Sequence, residues 1–387
     1  MRPLVILGST GSIGRQCLDI LRAHPGRFRL VGLSAYRSHA DVVATALEFD
    51  VPVVALANPE AAAAAREALP AHVRVLVGPD ASTEMAAEVD YEVALNGVVG
   101  AAGLLPSEAV LQRGKRLALA NKESLVIAGA ELMALARERG AELLPVDSEH
   151  CALQQCLAAD RIADVRKVYL TASGGALRDL PLEALAEVTP EQALAHPNWE
   201  MGPRITIGSA TLMNKALEVI EAAHLWQLEA ERIGVLIHRQ SVVHGMVEFQ
   251  DGAVLAQLSP PDMRGPIHHA LSWPERAKND LVGFDPIAFS HLTFEAPDLA
   301  RFPALALGYR CVREGGSAGA VLNAADEVAV EAFLAGQLAF SSIVPLVERV
   351  LDQHPRWPGG SFSALLTADR AAREVARELV QAPSVRP

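Results

Sequence analysis

Four cysteines in 387 residues, Cys17, Cys151, Cys156 and Cys311, are too few for a disulfide framework. The pair at 151 and 156 is spaced more widely than a zinc or redox pair requires, so the cysteines read as small buried hydrophobes of a reducing cytosol. Excess positive charge is also lacking. The chain carries 34 Lys and Arg against 46 Asp and Glu, a formal net charge of -12. That balance argues against a nucleic-acid backbone or an anionic membrane as the main partner, so any phosphate must be held by a local cluster. No basic-then-apolar leader opens the chain and no run of about 18 apolar residues occurs, so a soluble, cytoplasmic protein is expected. Hydrophobic residues, by contrast, make up 50% of the chain, which is long enough for two or three domains.

From residue 4 to about 146, short β-rich runs (4–7, 28–33, 51–57, 73–77, 92–95, 116–119, 141–144) alternate with alanine-rich helical stretches. That rhythm predicts a Rossmann-like, doubly wound parallel sheet. Further on, the runs 165–171, 233–238, 241–249 and 253–258 predict a central α+β domain. An Asp251-Gly252 hairpin signal joins the last two of them. Proline and mixed charge over about 273–303 read as a linker, and helical patterns at 304–313, 318–336, 342–353 and 360–380 predict a C-terminal helical bundle. The expected division is 1–147 for nucleotide binding, 148–274 for catalysis, metal binding and dimerisation, 275–302 as linker and 303–387 as the helical domain.

Gly8-Ser9-Thr10-Gly11-Ser12-Ile13-Gly14 follows the first strand and opens the first helix, where glycines let the backbone approach a pyrophosphate. The end of the second strand, Leu33-Ser34-Ala35-Tyr36-Arg37-Ser38, lacks the carboxylate that would hold an NAD ribose and supplies Arg37, which points to NADP. In Asp147-Ser148-Glu149 two carboxylates flank a hydroxyl, oxygen ligands of the kind a hard divalent cation needs. The same residues also suit a helix cap. The stretch 205–218 is expected to pass from a strand into a helix beginning near Ser209. That helix would place Asn214, Lys215 and Glu218 within one turn, as a phosphate cluster or an ordinary ion-paired face. Ser173-Gly174-Gly175 can bend its amides into an anion-binding concavity, and the loop from His196 through Trp199 to Gly202 has the make-up of a ligand contact. Asn121, Lys122 and Glu123 stand at a strand end, where ligands bind in open α/β sheets.

Taken together, GSTGSIG at 8–14, ANKESLV at 120–126, LPVDSEH at 144–150, TASGG at 171–175, HPNW at 196–199, SATLMNK at 209–215 and PDMRGPI at 261–267 resemble the 1-deoxy-D-xylulose 5-phosphate reductoisomerase family. That family makes 2-C-methyl-D-erythritol 4-phosphate on the non-mevalonate isoprenoid route. The resemblance implies a metal site of Asp147, Glu149 and Glu218 for Mg2+, Mn2+ or Co2+. It implies that Ser173, Ser209, Asn214 and Lys215, helped by His196, grip the phosphate of a sugar-phosphate substrate. Ser148 and Lys122 would contact its hydroxyls, and Trp199 would close over it on a lid. Along NADPH would lie Thr10, Gly11, Ser12 and Ile13, with Tyr36, Arg37, Ser38, Asn121, Glu123 and Gly202 as further contacts. A homodimer through the central domain is implied as well.

Four positions depart from the family's usual residues: Gly208 for aspartate, Ala216 for glycine, Ser38 for asparagine and Asp326 in an Asn-Glu pair. Two other readings fit the residues alone. In a metal-independent NADP dehydrogenase, Asp147 and Glu149 would only cap a helix. A non-catalytic NADPH sensor would turn over no sugar phosphate.

Overall fold

The computed structural model describes the chain except Glu200, Val282, Phe284, Ala288, Arg356 and residues 383–387. Three of these fall in the expected linker, and the last five end the expected helical domain. The chain divides into two compact units, one of residues 1–124, 132–151 and 262–282, the other of residues 125–131, 152–261 and 283–387.

The first unit follows the predicted rhythm. Strands β1 (Arg2–Leu7), β2 (Phe28–Ala35), β3 (Val53–Leu56), β4 (Arg74–Val77), β5 (Val93–Asn96), β6 (Arg116–Leu119) and β7 (Leu143–Pro145) form one sheet in the order β4-β3-β2-β1-β5-β6-β7. Every pairing in it is parallel. The intervening helices are α1 (Ser12–Ala23), α2 (His39–Phe49), α3 (Pro59–Ala68), α4 (Ala81–Glu88), α5 (Leu104–Gln112) and α6 (Lys122–Arg139), with α7 (Ser148–Leu157) after β7. Strands covered on both faces need apolar side chains in both directions. Leu4, Val5, Ile6 and Leu7 are all fully buried for that reason. The alanine tract at 61–65 is the body of α3, whose N-cap Asn58 accepts a hydrogen bond from the Ala61 amide.

The second unit carries a four-stranded mixed sheet, β11-β10-β8-β9, from β8 (Val165–Ala172), β9 (Ile233–Ile237), β10 (Val243–Phe249) and β11 (Val254–Leu258). The predicted Asp-Gly hairpin joins the antiparallel pair β10 and β11, and β8 runs parallel to β9. Helices α8 (Pro190–Leu194), α9 (Pro203–Thr211) and α10 (Met213–Trp226) fall between β8 and β9. Helix α11 (Arg264–Ser272) returns to the first unit. The C-terminal helices are α12 (Ala304–Glu314), α13 (Ala318–Leu334), α14 (Ile343–Gln353) and α15 (Phe362–Gln381). They share one apolar core with α9 and α10 through residues such as Ile207, Met213, Val321, Leu346 and Ala372. From 275 to 302 the described residues form no helix or strand, only a bridge from Glu295 to Ile237.

One expectation is corrected. Ile205 to Gly208 is not a strand leading into a helix at Ser209 but the body of α9, with Gly202 as N-cap and Pro203 in the first turn. Proline suits that position because its missing N–H would have had no partner there, and burial of Thr206 and Ile207 overrides the β preference of the branched side chains. Leu212, at φ +60°, then breaks α9 from α10.

Candidate active site

In the first unit the glycine turn closes on neighbouring backbone. Gly8 takes φ +84°, and a Cβ on it would lie 2.8 Å from the Gly97 carbonyl oxygen. At Gly14 a Cβ would come within 2.5 Å of the same turn, so α1 starts against β1 as no larger residue allows. Ser34 fixes the turn by accepting the Gly8 amide at 3.2 Å on its hydroxyl and the Ser9 amide at 2.8 Å on its carbonyl. Gly11 is the N-cap and brings no side-chain hydrogen bond. The helix start between Thr10 and Ile13 can therefore offer its amides to an anion. Tyr36, Arg37 and Ser38 follow β2 and are exposed, with Tyr36 at 69%.

Parallel pairing of β6 and β7 sets Leu119 beside Pro145, so the segments leaving both strands emerge together. This brings Lys122 and Asp147, both buried, into an ion pair. Asp147 also meets His150 at 3.2 Å, a fully buried ring three residues along. The Ser148 hydroxyl donates to Glu149 at 2.5 Å. Asn121 caps α6 by accepting the Ser124 amide at 3.1 Å, and its side-chain amide donates to the carbonyls of Val98 and Gly100. Glu123 accepts the Gly100 amide. Both side chains thus brace the loop after β5 from within the unit.

In the second unit a cluster forms where β8, residues 195–199, α9 and α10 meet. Ser173 follows β8, and its hydroxyl lies 2.9 Å from His196 Nε2. Gly174 and Gly175 take φ +85° and +76°, and a Cβ on Gly175 would meet the Ser209 carbonyl oxygen at 2.5 Å. The turn is therefore pressed against the end of α9 that carries Ser209. Past the break at Leu212, Asn214 donates to Glu218 at 2.6 Å and Lys215 forms an ion pair with the other oxygen of the same carboxylate. Lys215 and Glu218 are almost wholly buried. Asn198 ties the loop down by donating to the Arg239 carbonyl at 2.7 Å and the Ser241 hydroxyl at 2.9 Å, and Trp199 stands edge-on to His244 at 6.2 Å. Burial, followed by the charge of Arg178, pushes His196 down to about 4. Gly202 caps α9.

Each predicted residue thus falls into one of three groups: the glycine turn with the end of β2, the ends of β6 and β7, and the β8–α10 cluster. Sequence reasoning missed His150, Arg178 and the anchoring role of Asn198. Of these only His150 left a readable signal, its i, i+3 spacing from Asp147 at a helix start. Two departures are accommodated locally. A Cβ on Gly208 would sit 3.5 Å from that of Asn214, in ordinary contact, so a side chain is tolerated there and its lack removes one neighbour of Asn214. The backbone of Ala216 packs directly on Gly308 of α12, where a Cβ would approach its carbonyl oxygen to 2.5 Å.

The carboxylates of Asp147 and Glu149 offer oxygen atoms of the kind that suits a hard cation, and a cluster of two hydroxyls, an amide and an ammonium suits a phosphate. Comparisons agree with this chemistry. Family profiles match in chain order: 1-deoxy-D-xylulose 5-phosphate reductoisomerase over residues 4–129, its C-terminal domain over 143–226, and the DXP reductoisomerase C-terminal domain over 258–375. Reductoisomerases of that name from Chlorobium chlorochromatii and Thermosynechococcus vestitus are 48% and 46% identical to this chain. The matches cover 97% and 98% of this chain and 99% and 94% of those proteins. The Zymomonas mobilis enzyme, solved in complex with NADPH, superposes with a TM-score of 0.92 at 40% identity, covering 98% of this chain and 99% of that one. A DOX-P reductoisomerase in complex with NADPH, fosmidomycin and magnesium gives 0.94 at 38% identity over 98% of each chain.

Proposed function

This chain belongs to the 1-deoxy-D-xylulose 5-phosphate reductoisomerase family, and we propose that the residue groups described above divide that family's chemistry among them. The protein is an NADPH- and divalent-metal-dependent oxidoreductase that rearranges and reduces 1-deoxy-D-xylulose 5-phosphate to 2-C-methyl-D-erythritol 4-phosphate. The cluster of Ser173, His196, Ser209, Asn214 and Lys215 holds the substrate phosphate. The observation that carries this reading is the close approach of the Ser173 turn to Ser209, beside a buried Lys215. Binding energy from a remote phosphate then orients the reacting end. Trp199 covers the substrate and excludes water from the rearrangement.

Asp147, Glu149 and Glu218 hold Mg2+ or Mn2+, for which an oxygen set without thiolate is suited. The cation supplies stabilisation of alkoxide and enolate charge while the carbon skeleton is remade, and NADPH supplies hydride. His150, fully buried against Asp147, orients that carboxylate. Lys122 and Ser148 contact substrate hydroxyls. For NADPH, the start of α1 from Thr10 to Ile13 takes the pyrophosphate and Arg37 the 2′-phosphate. Tyr36, Ser38, Asn121, Glu123 and Gly202 complete the cofactor contacts.

The family's homodimer finds support in β11, an edge strand with Val254 53% and Leu255 45% exposed. Apolar edges of that kind are ordinarily covered. Among the described residues no helix is long and apolar enough to cross a membrane, and the four cysteines form no disulfide, as suits a reducing cytoplasm.

NADPH consumption with 1-deoxy-D-xylulose 5-phosphate is the test, run with EDTA and again with added Mn2+. We expect oxidation that chelation abolishes and Mn2+ restores. Turnover that survives chelation would favour the metal-independent dehydrogenase, and no turnover would sink the assignment.

A further inference from the structure

His196 Nδ1 accepts two backbone N–H groups, from Asn198 at 3.1 Å and Trp199 at 2.9 Å. A nitrogen that accepts carries a lone pair, so the ring proton resides on Nε2 and is donated to the Ser173 hydroxyl oxygen at 2.9 Å. That oxygen also accepts the Gly175 amide at 3.2 Å. With both lone pairs engaged, the hydroxyl's own proton is left to donate outward, towards an anion. A second proton on His196 would go to Nδ1, against the two amides that shape the loop.

Arg178 stands over this arrangement. Its guanidinium donates to the Ser173 carbonyl at 2.7 Å, and its stem covers Gly174, where a Cβ would meet Arg178 Cβ at 3.1 Å and Cδ at 3.2 Å. The other charged groups around it include Arg301, which donates to the Arg178 carbonyl at 2.9 Å, Asp179, 3.6 Å from Arg178, and Arg239, which pairs with Asp179 at 2.8 Å and with Glu295 at 3.0 Å. We propose that Arg178 is a positioning residue of the phosphate site: it clamps the Ser173-Gly174-Gly175 turn and sets a fixed positive charge beside the His196 ring. An arriving phosphate dianion would draw a proton onto that imidazole, and the Arg178 charge opposes this. It acts with burial, the larger cause, to keep the ring neutral. The inference rests on the reading that Ser173 and His196 serve the substrate phosphate.

NMR titration of His196 in the ligand-free full-length protein, joined to steady-state kinetics, tests it. In Arg178→Met the His196 pKa should rise from about 4, but by less than half of the way to 6.5, because burial, the larger cause, remains. KM for the sugar phosphate should rise about tenfold while kcat changes by less than about threefold. Arg178→Lys should keep the low His196 pKa and recover part of the KM, because the charge remains while the guanidinium hydrogen bond to the Ser173 carbonyl is lost. If the methionine variant does not fold, Arg178→Gln compared with Arg178→Lys gives the same contrast. An unchanged His196 pKa in either uncharged variant would overturn the proposal, as would an unchanged KM. If the unsubstituted protein turned over no sugar phosphate, the assignment of function would fall. His196 titration and binding of inorganic phosphate would still decide the role of Arg178.

Discussion

Gly175 is the position where one added methyl group bears most directly on the phosphate site. Its φ is +76°, and a Cβ there would lie 2.5 Å from the Ser209 carbonyl oxygen and 2.9 Å from Ala210 Cα. Left-handed backbone costs a residue with a side chain about 1–2 kcal/mol. Forcing an extra carbon into packed surroundings costs about 1–3 kcal/mol more. Both obstructing atoms are backbone, so neither can swing aside, and either the turn or α9 must move. We therefore expect Gly175→Ala to lose about 2–5 kcal/mol of stability, read from urea denaturation. Opening the 2.5 Å approach to an ordinary 3.4 Å contact displaces Ser173 from Ser209 by close to 1 Å. A misplacement of that size at a substrate-holding group costs on the order of 100-fold in kcat/KM. Gly174→Ala supplies the control. Its φ of +85° imposes the same backbone strain, but a Cβ there meets only side-chain atoms, of Arg178 and Ile237, at 3.1–3.3 Å. It should lose about 1–2 kcal/mol, with a smaller fall in kcat/KM. Equal effects of the two substitutions, or a Gly175→Ala protein within about 0.5 kcal/mol of the parent, would refute the reasoning.

Three further expectations concern the metal, pH and assembly. Glu218→Gln should weaken Mn2+ binding at least about tenfold in an EPR titration, because few charged oxygens hold the cation; unchanged affinity would remove Glu218 from the ligand set. Burial, aided by His24 and Arg27, pushes His268 down to about 4, and burial with Arg276 does the same to His269. Folded-state values below the ordinary 6.5 mean that unfolding takes up protons. Their contribution is complete above pH 6.5 and is lost as pH falls through about 4, so urea midpoints should drop across that window. His268→Phe should make the drop shallower, and a midpoint that rises on acidification would contradict the sign. Leu255→Lys on the β11 edge should shift the protein to monomer in light scattering, and a species of unchanged mass would move the dimer contact elsewhere.

Much of this molecule could be read from its residues because its parallel strands are buried on both faces. Leu4 to Leu7 and Leu117 to Leu119 have no polar alternation to interpret, and the glycine turn after β1 announces its own backbone demands. The misreading at Ile205 to Gly208 has an equally physical source. Three β-branched residues in a row state a local preference, whereas Gly202-Pro203 states a helix start, and burial of Ile207 against the C-terminal helices decided between them. Arg178 gave no signal at all, since an arginine five residues after a serine implies nothing until two left-handed glycines fold the chain back on itself.

The same limit explains the departures from the family pattern. Ala216 looked like a lost glycine, yet the glycine that its surroundings require is Gly308 of α12, some ninety residues on, where a Cβ would come 2.5 Å from the Ala216 carbonyl oxygen. Asp326 looked remote from the chemistry, but it lies 3.4 Å from Arg204, in the first turn of α9, the helix that carries Ser209. A motif records which side chains a site requires. The positions that hold those side chains at their distances are set by tertiary contacts, and for this chain they lie largely outside the motifs: Arg178, Gly308 and Asp326.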